Sequence, residues 1–159
     1  MKKLIPFILF IGCASPPVEV PPPVEITFGQ SVKIIPYAEG YLENDTAHIW
    51  IYGHAVNVTE KRLEPVYPVG YIFSNFDSLY ANKPSLTERG SFGVLADPPA
   101  FELKTKQSHL DPNIRVHFLI AIKFLYVSGP VYWDVGVTID EKSGLGKREA
   151  RELKLNRVQ

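Results

Sequence analysis

The chain has 159 residues, enough for one domain with a packed core and little more. Lys and Arg together equal Asp and Glu at 17 each, so nothing in the charge balance suggests nucleic acid as a partner. A single Cys excludes an intrachain disulfide and a Cys-rich zinc site, and 14 Pro with 17 Tyr and Phe favour strands over helices.

The first elements are an address and a spacer. Met1-Lys2-Lys3 precedes the apolar run Leu4–Ile11, followed by Gly12-Cys13. Two lysines ahead of an apolar run are the opening of a secretory signal. Eight residues reach about 12 Å as a helix, too short for roughly 30 Å of hydrocarbon. Phe10-Ile11-Gly12-Cys13 resembles the lipobox of prokaryotic lipoproteins. That resemblance implies cleavage before Cys13 and diacylglycerol on its thiol. A lone Cys is otherwise a buried small hydrophobe, but this one abuts a proline-rich tract, a poor place for a core residue. The expected signal is residues 1–12, and its loss leaves two more acidic than basic residues. Acyl chains on Cys13 would anchor the chain, at about 0.8 kcal/mol per buried CH₂. Ala14 after the Cys favours an outer membrane if the source has one.

Residues 13–25 read as lipidated Cys and tether. Pro16, Pro17, Pro21, Pro22 and Pro23 forbid helix and favour polyproline II, so Ala14–Glu25 would span roughly 35–40 Å. A proline-rich ligand for a partner domain is the other use of such a tract.

From Ile26 the apolar period is two, which assigns 26–159 to an all-β domain. Ser31–Ile35 is expected as a first strand ended by Pro36, and Ile49–Val58 as a central strand. Val66–Phe73 is expected as an edge strand because Pro68 cannot donate a ladder hydrogen bond. Short strands are expected around Phe92–Val94 and over Phe101–Lys106. Ile114, Val116, Phe118, Ile120, Ile122, Phe124 and Tyr126 share one face. Val131, Trp133, Val135, Val137 and Ile139 repeat the pattern after the turn Ser128-Gly129-Pro130. Residues 114–140 therefore read as one long antiparallel hairpin with one buried face. Gly144–Lys147 reads as a glycine hairpin turn, and Glu149–Val158 as a final strand. The sum is an immunoglobulin-like antiparallel β-sandwich of seven or eight strands.

Residues 53–94 carry a second resemblance. Gly53-His54-Ala55-Val56-Asn57, Leu63-Glu64-Pro65-Val66, Phe73-Ser74-Asn75-Phe76-Asp77 and Leu86–Phe92 resemble the motifs of the FxLYD domain, a small β-sandwich of prokaryotic envelope proteins. Phe76 stands for its Tyr and Asn75 for its Leu. The resemblance implies a structural or interaction role, and that family has no catalytic residues to carry over.

No catalytic constellation emerges. There is no G-x-S-x-G, and Gly144-Leu145-Gly146-Lys147 lacks the phosphate-loop spacing, with Arg148 in place of Ser or Thr. His48 and His54 share strand parity but lie about 20 Å apart, too far for one metal, while His117 points away from the core and His109 lies in a loop. Asn44-Asp45-Thr46 and Asn57-Val58-Thr59 are glycosylation acceptor sequences. The aromatics are more suggestive. Trp50, Tyr52, Tyr67, Tyr71 and Tyr132 are too many for one core, and outward ones could stack on sugars or anchor a protein. The expectation is a non-enzymatic envelope protein without cofactor or metal, bound to the membrane through Cys13. An envelope protein partner would meet the 66–73 edge, with Tyr67 and Tyr71, or the outward Tyr132. A glycan or small-ligand module is the alternative, favoured by an exposed aromatic stripe on a sheet face.

Overall fold

The computed structural model describes residues 26–28, 31–73, 86–94, 103–144 and 150–159. Cys13, the tether and the signal lie outside them, as do Asn75, Phe76 and the segment Leu145–Glu149. Eleven strands are present: β1 (Ile26–Phe28), β2 (Val32–Glu43), β3 (Thr46–Asn57), β4 (Val66–Phe73), β5 (Leu86–Arg89), β6 (Ser91–Gly93), β7 (Arg115–Leu125), β8 (Val131–Ile139), β9 (Lys142–Gly144), β10 (Arg151–Leu153) and β11 (Asn156–Val158). No helix occurs among the described residues. The all-β sandwich expected from the two-residue period is what forms, with more strands than seven or eight, three of them 11 or 12 residues long.

One sheet runs β1-β2-β3-β7-β6, with β11 alongside β2; the other runs β10-β8-β4-β5, with β9 alongside β8. All pairs are antiparallel except β11 with β2. Val32, Ile34, Ile49, Ile51, Phe118, Ile120 and Ile122 from the first sheet meet Val66, Ile72, Trp133, Val135 and Val137 from the second in one core. Such burial contributes about 1.5–3 kcal/mol per large side chain before chain entropy is subtracted.

The strand from Val66 to Phe73 has the expected bounds but not the expected place. It pairs with β8 along its length and with β5 over Val69–Ile72, so it is interior there, and only its start, with Pro68, lacks a strand on the second side among the described residues. Its faces are both covered. Val66 and Ile72 enter the main core, and Val69, Tyr71 and Phe73 form a second cluster with Tyr132 and Ala150. A Cβ at Gly70 would meet Ile120, Ile122 and Ile51 across the core at 3.0–3.1 Å, a contact those side chains must shift to accept.

Residues 114–140 are not a hairpin. Strand β7 pairs with β3 and β6, whereas β8 pairs with β4, β9 and β10, so Ser128-Gly129-Pro130 carries the chain between sheets. Gly129 supplies a φ of 87° for this crossing, and the Tyr126 hydroxyl donates to its carbonyl at 2.8 Å. Period-two patterning orients a strand's faces but does not name its neighbour. The alternation itself holds on β7. On β8 the opposite face is buried too, including Asp134 and Thr138, each 5 % exposed.

Two further boundaries differ. Strand β2 continues through Pro36 to Glu43. Proline is tolerated beside an unpaired edge. Among the described residues, β1 covers only Val32–Ile34 of that edge and β11 only Tyr41–Glu43. Leu103–Lys106 is not a regular strand; Leu103 makes an isolated bridge, and Gln107 bridges Phe92. The C-terminal segment is two strands, β10 in one sheet and β11 in the other, so it stitches the layers together. A tight turn at Asp140-Glu141 joins β8 to β9, and the φ of 49° and 60° are the paired positive values of a primed two-residue turn; the turn expected at Gly144–Lys147 lies, past Gly144, outside the described residues.

A candidate binding face of aromatic rows

The outward face of the six-stranded sheet is built by register. Strands β2 and β3 are each 12 residues long, and β7 is 11, so three long strands lie side by side. Pairing places Tyr37 opposite Tyr52 and Leu119, Glu39 opposite Trp50 and Ala121, and Tyr41 opposite His48 and Lys123. Neighbouring strands are about 4.8 Å apart, so rings at paired positions come within contact. Tyr41 and His48 do so at 4.8 Å between centroids and 14°, and Tyr37 and Tyr52 at 5.7 Å and 20°. Trp50 is tilted 35° to Tyr41 at 5.6 Å. On its β7 side Trp50 is paired with Ala121, the smallest side chain of that row.

Polar groups are interleaved with the rings. Glu39 bonds the Tyr52 hydroxyl; burial first, then that carboxylate, raises the Tyr52 pKa above the ordinary tyrosine value. His48 Nε2 lies 3.4 Å from a Glu43 carboxylate oxygen. At the other end of the face the rows are Ile35–His54–His117 and Lys33–Val56–Arg115. His54 and His117 meet edge to face at 4.5 Å.

The residues singled out from the sequence fare differently. Trp50 and Tyr52 are on this face. Tyr71 is 5 % exposed inside the second cluster, so it offers no surface. Tyr132 is half-buried against the same cluster. Tyr67 is half-buried, with the Arg89 guanidinium 4.4 Å over its ring. Tyr67, Tyr71 and Tyr132 therefore do not form one exposed edge. Ending the first strand at Pro36 concealed Tyr37 and Tyr41; continuing its alternation past the proline puts both on Lys33's face. The His54–His117 pair is visible only once β3 and β7 are known to be neighbours. His48 and His54 do point outward together, three rows of the ladder apart.

Asn57 is wholly buried. Its Nδ2 donates to the carbonyls of Lys61 and Leu110, and its Oδ1 accepts from the Thr59 amide and hydroxyl. This acceptor sequence is a structural staple and is closed to glycosylation in the folded chain. No group of three or more His, Cys, Asp or Glu suited to a metal occurs among the described residues. No protein-family model matches the chain, and no curated protein matches it.

Proposed function

We propose that this protein is a lipid-anchored, extracytoplasmic module that binds a glycan of the cell envelope on the aromatic face of its six-stranded sheet. The observation that carries the reading is the Tyr37–Tyr52, Trp50 and Tyr41–His48 array, with the small Ala121 paired to Trp50. A sugar ring has an apolar C–H face that stacks on an aromatic and hydroxyls that need partners. Glu39, Glu43, His48 and the tyrosine hydroxyls supply such partners between the rings.

A protein partner, the other use of exposed aromatics, fits less well. Its interface would want an apolar centre. Among the described residues, the large apolar side chains with more than a third of their surface exposed are Val58, Val94, Ile114, Leu125, Val127 and Val158, all at strand ends, turns or the C-terminus. The anchor reading rests on Lys2-Lys3, the short apolar run and Gly12-Cys13, and the envelope setting on the FxLYD-like motifs. The role is recognition, with no reaction proposed.

Affinity electrophoresis of the detergent-solubilised full chain through gels containing envelope polysaccharide tests the binding. The wild type should be retarded. Trp50→Ala should weaken retention by about tenfold or more, as for a buried aromatic anchor. Ala121→Trp, which sets a bulky side chain at the position paired with Trp50, should do the same. Equal migration of wild type and variants in every polysaccharide overturns the reading. Incorporation of labelled palmitate, lost in Cys13→Ser, tests the anchor separately.

A further inference from the structure

The face ends in a different chemistry. Lys33 on β2, Val56 on β3 and Arg115 on β7 form one row, and Ile35 and His54 belong to the next. These five residues line a depression of about 170 Å³. None is acidic. The two cations stand two strand spacings apart, roughly 10 Å between backbones, so long side chains can converge above Val56. The Val56 and Ile35 side chains make an apolar floor and wall, which strengthens the field of the cations over them. The volume equals that of about six liquid waters, room for one acidic group and the ring that bears it.

His54 completes the arrangement. It is half-buried, and its Nδ1 is buried without a hydrogen-bond partner. Among the described residues, the charged and titratable groups in its own and the adjoining rows are Lys33 and Tyr37 from β2, Tyr52 from β3, and His117 and Arg115 from β7. Burial first, then His117 and Arg115, hold its pKa below the ordinary imidazole value. The lesser, electrostatic part of that lowering, from His117 and Arg115, marks a positive potential beside the imidazole.

We infer that this depression seats an oxyanion, a carboxylate or phosphate group, carried by the glycan that lies along the aromatic rows. Arg115 offers a planar fork and Lys33 a point charge on the opposite side, a clamp suited to either group. The seat is adjacent to the Tyr37–Tyr52 row through His54, so one extended ligand can occupy both. The identity of the carrier rests on the glycan reading above; the charge of the seated group does not.

Calorimetry on the detergent-solubilised full chain, with a uronate hexasaccharide, its neutral methyl ester, inorganic phosphate and a hexaglutamate peptide, separates the two claims. The uronate should bind about tenfold more tightly than its ester, the worth of one charge-assisted hydrogen bond. Lys33→Gln or Arg115→Gln should erase that difference, while Trp50→Ala weakens acid and ester alike. In ring-proton NMR the His54 pKa should rise when uronate or phosphate is added. Thermal unfolding of the variants, all at surface positions, checks that they fold. Equal binding of acid and ester removes the oxyanion seat and leaves the aromatic face standing. Phosphate binding that depends on Arg115, with neither saccharide bound, overturns the glycan carrier and keeps the seat. Hexaglutamate binding as tightly as the uronate also overturns the glycan carrier, in favour of an acidic protein.

Discussion

Tyr37 and Tyr52 are direct partners across the β2–β3 ladder, and their rings stack at 5.7 Å with 20° between planes. The Tyr52 hydroxyl is held by Glu39 of the next row. A double-mutant cycle with Tyr37→Ala and Tyr52→Ala should give a coupling of about 0.5–1.5 kcal/mol in urea unfolding. A coupling near zero would mean that the stack is incidental to stability.

His54 makes stability depend on pH with a definite sign. Its folded pKa lies below the unfolded value of about 6.5. Between those two values the unfolded chain binds the proton and the folded chain does not, so stability rises with pH. The contribution is whole above about pH 6.5 and is lost as pH falls from there toward the folded pKa. In paired urea titrations the wild type should lose more stability than His54→Gln between pH 7.5 and 5.5. Parallel curves would contradict the burial of the imidazole.

Asn57 should be intolerant of change. Asn57→Ala leaves the Thr59 amide and the Leu63–Leu110 region short of a buried partner, at a cost of about 2–4 kcal/mol. Asn57→Asp should cost more, because a carboxylate would face the carbonyls of Lys61 and Leu110. Denaturant midpoints rank the two, and mass spectrometry should find Asn57 without glycan in any host.

Parity predicts opposite outcomes on the two sheets. Phe118→Asp and Val135→Asp should unfold the domain, since an unpaired buried charge costs several kcal/mol against a total of about 5–15. Ala121→Asp, on the open face of β7, should cost under about 1 kcal/mol. Thr138→Asp should behave like the core variants, because both faces of β8 are covered. Circular dichroism melts decide; a tolerated Thr138→Asp would mean the outer face of β8 is open.

Much of the fold is legible along the chain because a strand's alternation is a local property. Val116, Phe118, Ile120 and Ile122 declare one buried face without reference to any partner, and so do Val131, Trp133, Val135 and Val137. Pairing is not local. The same alternation suits a hairpin or a crossing between sheets, and β7 and β8 take the second course because each fills an interior place in its own sheet.

Sequence alone determined the class of this protein: strands throughout the described residues and a core of alternating Val, Ile and Phe. Tertiary structure decided what those aromatics can do. It withdrew Tyr71 into a cluster, closed Asn57 inside four hydrogen bonds, and aligned Tyr37, Tyr41, Trp50 and Tyr52 with Ala121 on one face. The physical reason is register. Residues such as Lys33, His54 and Arg115 are far apart in the chain, and only the hydrogen-bonded alignment of β2, β3 and β7 brings them to one end of the same surface.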